Sequence, residues 1–281
     1  MDLNKFKGVF TALITPFKNN KIDFQSLEKL IDFQLKNSID GFVVNGTTAE
    51  SPNLDKREVK EIFDFIKGKV PKNFPLILGS GSNSTANTVL FSKECEAWGA
   101  DALLLVVPYY NKPPQRGLFE HFKTIASSVN IPSILYNVPG RTITALEIET
   151  IKKLSEHPQI IGIKEASGNI EFAKQISAQC GESFILLSGD DLTYEEFMQV
   201  GGHGCISVAS HVIPKEIKNQ RIRTNRELIE MMFSEGNPIP VKKMLQLMGI
   251  ISSAELRLPL VESTETSAMK IKAELNKRGL L

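Results

Sequence analysis

An α/β chain closed into a (β/α)8 TIM barrel, followed by a small C-terminal helical domain, is the fold this sequence predicts, on three observations. Eight short apolar runs bounded by turn residues recur up to Val208, most intervals between them carry helical periodicity, and after Ser210 the strand-like runs stop. A doubly wound open sheet gives similar alternation. The count of eight favours closure.

In order, the runs are Gly8–Ile14, Gly41–Asn45, Leu76–Gly79, Ala102–Val107, Ser133–Asn137, Ile160–Lys164, Phe184–Ser188 and Cys205–Val208. After the first, Leu27, Leu30, Ile31 and Gln34–Leu35 recur at helical spacing, and after the second Val59, Ile62, Phe63 and Ile66 do the same. Ser84 is placed to cap a helix that ends before Gly99, and Thr144-Ala-Leu-Glu147 has the spacing of a capping box. Beyond the last run, Arg226–Phe233, Val241–Gly249 and Glu265–Arg278 read as helices, punctuated by Asn237-Pro-Ile-Pro240. The expected domains are therefore a barrel over residues 1–225 and a helical domain over 226–281.

With 281 residues, 42% hydrophobic and 23% charged, the chain can bury one sizeable core without a disulfide or structural metal. Thirty-three Lys and Arg against 32 Asp and Glu leave a formal charge of +1, which argues against a general grip on nucleic acid or an anionic membrane. Cys95, Cys180 and Cys205 match neither a zinc site nor a disulfide framework, and His121, His157, His203 and His211 lack zinc-ligand spacing. No metal is expected. Without an apolar run of about 18 residues or a secretory pattern at the start, the expected location is the cytoplasm.

In such a barrel, chemistry gathers where strands end. Lys164 closes the sixth run in register with Ile160 and Gly162 and opposite in facing to Ile161 and Ile163. An inward lysine above the space Gly162 leaves is partly desolvated, and its neutral amine can attack a carbonyl; a solvated lysine opening a loop is the alternative. Thr47 and Thr48 follow Gly46 and offer hydroxyls and backbone N–H groups to a carboxylate, or simply cap the next helix. Tyr136 and Arg141 flank Val138-Pro139-Gly140, which suits proton transfer and a carboxylate clamp as well as it suits packing and a surface ion pair. Tyr109 and Tyr110, an aromatic pair at a strand end, read as packing or interface more readily than as chemistry. Gly79-Ser-Gly81 lacks the third glycine of a dinucleotide fingerprint, and Asp190-Asp191 suits a helix start as well as a cation.

The motifs GTTAES (46–51), PYYNKP (108–113), YNVPGRT (136–142), GIKEASGN (162–169), LLSGDD (186–191), GGHGCISV (201–208), NPIPVK (237–242) and LRLP (256–259) cover nearly the whole chain. Their order and spacing resemble the dihydrodipicolinate synthase family, within the pyruvate-dependent class I aldolases that also include N-acetylneuraminate and keto-deoxygluconate lyases. The resemblance implies a Schiff base between Lys164 and pyruvate, with L-aspartate 4-semialdehyde as second substrate, in the branch leading to diaminopimelate and lysine. It makes Tyr136 the proton donor and acceptor, with Thr47 and Tyr110 completing its relay and Tyr110 supplied by a neighbouring subunit of a homotetramer, a dimer of dimers. Thr48, Ile206, Gly189 and Arg141 are the implied substrate-binding positions, Arg141 for the semialdehyde carboxylate, and no cofactor is implied. YNVPGRT and the Thr47-Thr48 pair favour the synthase over the lyases. A barrel that binds a keto acid without turnover is the reading from another class.

Two departures from the family pattern accompany this. Ala49 stands where the family commonly has glycine. The family's feedback-inhibited members bind L-lysine in a dimer cleft at the positions of Ser51, Lys56, Asn83, Asn87 and Tyr109. Lys56 replaces a histidine there and Asn87 a glutamate, so weak or absent inhibition by L-lysine is expected.

Overall fold

In the computed structural model, which describes residues 2–281, eight strands form a closed barrel. They are β1 (Gly8–Ala12), β2 (Gly41–Val44), β3 (Leu76–Gly79), β4 (Ala102–Val106), β5 (Ser133–Asn137), β6 (Ile160–Glu165), β7 (Ile185–Ser188) and β8 (Gly204–Ser207). Strands adjacent in sequence are adjacent in the sheet, and β1 meets β8 to close the circuit. Helices α1 (Phe24–Lys36), α2 (Lys56–Lys67), α3 (Thr85–Trp98), α4 (Gln115–Ala126), α5 (Ile148–Ser155), α6 (Ile170–Gln179), α7 (Tyr194–Gln199) and α8 (Pro214–Lys218) follow the strands one for one. The tail adds α9 (Ile222–Met232), α10 (Ile239–Leu247) and α11 (Glu265–Lys277). Residue 225, the last expected of the barrel domain, lies within α9. Among the described residues no helix is long and apolar enough to cross a membrane.

By compactness the described chain falls into two units. The first comprises the chain through Phe10, Asp40–Val43 and Pro75–Ile206. Its core is the parallel run from β3 to β8, in which Leu105 pairs with Leu135, Leu135 with Ile163 and Ile163 with Leu186. Leu103, Leu105, Ile134, Leu135, Ile163 and Leu187 are fully buried there. Leucine and isoleucine dominate because both faces of a parallel strand are covered. Gly41 lets the Phe10 ring lie against the backbone, where any Cβ would strike it.

The second unit comprises Thr11–Ile39, Val44–Phe74 and Ser207–Leu281. Asp23 caps α1, Asp55 and Glu58 form a reciprocal capping box on α2, and Thr264 caps α11. Leu27, Leu30 and Ile31 of α1 and Ile62, Phe63 and Ile66 of α2 form the buried stripes that their periodicity predicts.

Two expectations need correction. The first strand stops at Ala12, short of Ile14, because the Ile14 N–H bonds to His211 Nε2 at 3.1 Å and the Thr15 hydroxyl to the Ala49 carbonyl at 2.9 Å. Thr144 caps nothing: α5 begins at Ile148, and Glu147 is its N-cap without a side-chain bond. The N–H groups of Leu146 and Glu147 are taken by the side chains of Asn137 (3.0 Å) and Gln115 (3.1 Å), so the chain is held extended where a capping box needs a turn. The expected Ser84 cap holds, its hydroxyl accepting from Asn87 N–H, and α3 ends at Gly99 in the left-handed region with φ +85°.

Candidate active site

Within the first unit, strand register sets the centre of the site. Lys164 and Tyr136 are directly paired across β6 and β5, so both side chains emerge on one face. Lys164 is 7% exposed, and its Nζ lies 4.3 Å from the centroid of the Tyr136 ring. The ring face offers the lysine head a favourable contact without an ion pair.

The room for this lysine comes from a different glycine than the sequence suggests. At Gly189, just after β7, a Cβ would lie 2.8 Å from Lys164 Cε and 2.6 Å from Ala166 Cβ, so any side chain there displaces the lysine stem. Gly162 serves the neighbouring strand, since its missing Cβ admits the Ile185 backbone. Ile206 is buried in β8.

One residue further along, Asn137 pairs with Glu165. Asn137 Nδ2 donates to Glu165 Oε2 at 2.7 Å, and Ser167 N–H donates to Glu165 Oε1 at 2.6 Å. Burial pushes the Glu165 carboxyl up, with these hydrogen bonds opposing it. Asn137 Oδ1 accepts the Leu146 N–H and so ties down the far end of the segment that carries Arg141. Arg141 sits exposed in the single helical turn Pro139–Thr142, which ends on Ile143 at φ +64°. Sequence reasoning did not assign a role to Asn137 or Glu165, although both lie within the motifs at strand ends.

The loop after β4 carries Tyr109, 41% exposed, and Tyr110, 88% exposed with φ +75°. Asn83 Nδ2 donates to the Tyr109 carbonyl at 3.2 Å, and Asn111 Nδ2 returns to the Asn83 carbonyl at 2.8 Å. Asn87 lies exposed in the first turn of α3. Asp190 caps locally, accepting the Leu192 N–H at 2.8 Å, and the described residues hold no cluster of three metal-ligating groups.

Within the second unit, Thr47 and Thr48 occupy the 3-10 turn Thr47–Ala49 after β2. Ala49 has no positive φ; the left-handed residue is Glu50, at φ +58°, so alanine is accommodated without strain. Ser51 opens the next 3-10 turn, and Lys56 is the first residue of α2. The tail grips this loop. Asn237 Nδ2 donates to Thr48 Oγ1 at 2.9 Å. Lys242 Nζ donates to Glu50 Oε1 at 2.5 Å, both side chains being fully buried. Burial lowers the Lys242 ammonium to about 8 against the opposing pull of Glu50. The Arg257 N–H donates to Glu50 Oε2 at 2.9 Å, while its guanidinium takes Glu58 through both terminal nitrogens and holds that carboxyl below the usual range. Phe17 receives Lys242 and Arg257 over its ring, each at 4.4 Å.

A family model described as the dihydrodipicolinate synthetase family matches residues 5–278. A 4-hydroxy-tetrahydrodipicolinate synthase of Bdellovibrio bacteriovorus is 56% identical over 99% of this chain and 100% of its own. The crystal structure of dihydrodipicolinate synthase from Thermotoga maritima superposes with a TM-score of 0.95 at 37% identity, covering 98% of this chain and 99% of its own. That of the Acinetobacter baumannii enzyme complexed with pyruvate does so with a TM-score of 0.94 at 37% identity, over 98% and 99%.

Proposed function

The chain belongs to the dihydrodipicolinate synthetase family, a lyase with 4-hydroxy-tetrahydrodipicolinate synthase activity, and from that premise we propose that Lys164 forms a Schiff base with pyruvate and condenses it with L-aspartate 4-semialdehyde. The observation that carries this is the placement of Lys164, an amine 7% exposed at the end of a barrel strand and seated over the ring of Tyr136. The pyruvate complex of the Acinetobacter baumannii relative supports the first substrate.

The Lys164 amine adds to the C2 carbonyl of pyruvate, and loss of water leaves a protonated imine. That imine draws electrons from C3, whose proton is removed to give an enamine. The enamine C3 attacks the aldehyde carbon of the second substrate. The amino group of that substrate then adds to the imine carbon, closing the ring and releasing Lys164. Tyr136 is the group placed to carry protons at the imine, with Thr47 and Tyr110 completing the relay. Thr48 and the Ile206 backbone hold the pyruvate carboxylate. Gly189 keeps the space around the lysine stem open, and Arg141 clamps the carboxylate of the semialdehyde.

The high exposure of Tyr110 supports a role outside its own subunit, in a homotetramer built as a dimer of dimers. The test of the central step is borohydride reduction with pyruvate followed by peptide mapping. The adduct is expected on Lys164 with loss of activity, and an adduct elsewhere, or none, overturns the proposal. A coupled assay comparing aspartate semialdehyde with N-acetylneuraminate and keto-deoxygluconate tests the second substrate.

A further inference from the structure

The grip of the tail on Thr48 carries one inference, which rests on Thr48 as the hydroxyl that binds the keto-acid carboxylate. Asn237 is 8% exposed; its Nδ2 donates to Thr48 Oγ1 at 2.9 Å, and its Oδ1 is buried without a hydrogen-bond partner. A hydroxyl has one proton to give and two lone pairs to receive with. With one lone pair engaged by Asn237, the Thr48 proton is directed elsewhere, and no described residue accepts it. Were the amide turned over, Oδ1 would take that proton and Thr48 would present only lone pairs to an incoming carboxylate. The first orientation attracts an anion, and the second repels it.

We propose that Asn237 is a positioning residue that fixes the Thr48 hydroxyl as a hydrogen-bond donor toward the pyruvate carboxylate. Both ends of the Asn237–Thr48 bond are anchored close by. Glu50 lies two residues after Thr48 and Lys242 five after Asn237, and the two form an ion pair wholly removed from water. Lys242 also donates to the Glu255 carbonyl at 2.9 Å, so its ammonium is fixed from two directions. Breaking a buried pair by removing one partner leaves an uncompensated charge, so the pair holds both segments in place.

The experiment is a double-mutant cycle on the full-length enzyme. Asn237→Ala should raise KM for pyruvate about three- to tenfold, the range of one net hydrogen bond, while kcat at saturating pyruvate stays within about twofold. In a Thr48→Val background the same substitution should change KM by less than about twofold, because the hydroxyl it orients is gone. Asn237→Leu, of similar volume and lacking the donor, replaces the alanine variant if that one does not fold. An unchanged KM in Asn237→Ala, or an equal rise with and without Thr48, overturns the positioning role while leaving the Thr48 reading intact. An unchanged KM in Thr48→Val alone overturns the reading of Thr48, and the inference with it.

Discussion

Asn137 and Glu165, paired across β5 and β6 one residue beyond Tyr136 and Lys164, are joined by a 2.7 Å hydrogen bond from Nδ2 to Oε2. The amide oxygen of Asn137 also holds the Leu146 N–H, so one side chain joins the strand bearing Lys164 to the segment bearing Arg141. Asn137→Ala leaves the Leu146 N–H and one carboxylate oxygen without their partner, at a cost of about 1–3 kcal/mol. We expect turnover with the semialdehyde to fall at least about tenfold while borohydride-trapped pyruvate imine forms at near the normal rate. Imine formation that falls in parallel would place Asn137 in support of Lys164 instead.

Arg141→Ala should show the same split more sharply. A guanidinium clamp serves only the second substrate, so KM for the semialdehyde rises and condensation slows while the imine still forms. Stopped-flow measurement of imine formation beside the coupled assay checks this. Equal loss of both steps would mean that the Pro139–Thr142 turn had collapsed.

Tyr110→Phe is expected to lower turnover without altering the sedimentation of the assembly. Mixing Tyr110→Phe subunits with Lys164→Ala subunits should restore part of the activity, since one of the two sites in each mixed pair then draws an intact lysine and an intact tyrosine from different chains. No recovery on mixing, with hybrids confirmed by native mass spectrometry, assigns Tyr110 to its own subunit.

His211 sets an acid limit on stability. Its Nε2 accepts the Ile14 N–H at 3.1 Å and its Nδ1 faces the Val208 carbonyl at 2.8 Å, an arrangement that only the neutral imidazole satisfies. Burial lowers its pKa to about 4. Between pH 6.5 and 4 the unfolded chain binds a proton there that the folded chain does not, so stability falls with falling pH, by about 3 kcal/mol across the window. His211→Gln keeps an acceptor and a donor but cannot titrate. Urea midpoints across that range should fall less steeply in the variant, and parallel curves would remove His211 from the account.

L-Lysine should inhibit weakly or not at all. Lys56 and Asn87 stand where the feedback-inhibited pattern has a histidine and a glutamate, so a cationic ligand loses an ion pair and meets a like charge. Removing one partner of a buried charge pair costs about 2–5 kcal/mol, at least tens-fold in affinity. A dose–response curve with half-inhibition below about 1 mM, the affinity equivalent of roughly 4 kcal/mol, would contradict this.

The barrel was readable because each strand is a short apolar run with its own punctuation, and the alternation along Ile160–Lys164 already turned the lysine inward. Local pattern failed where a distant side chain takes over a backbone group. His211 ends β1 by taking the Ile14 N–H, and Asn137 and Gln115 occupy the N–H groups that a capping box at Thr144 would need. Asn237, Lys242 and Glu50 escaped because the side chains they bond are likewise distant in sequence. Lys242 shares α10 with the buried Val241, Met244 and Leu245, a position that periodicity assigns to apolar packing, and its partner lies 192 residues away.

That separation orders events during synthesis. The turn bearing Thr47 and Thr48 is made early, but the lysine that neutralises Glu50 emerges from the ribosome only with the last segment of the chain, as does Asn237. Until then Glu50 has no counter-ion from the tail and stays hydrated, so the turn cannot settle into its final buried form. A nascent chain can therefore close strand after strand while the Thr48 hydroxyl waits unaligned, and a polypeptide that stops short of residue 237 lacks both side chains that set it.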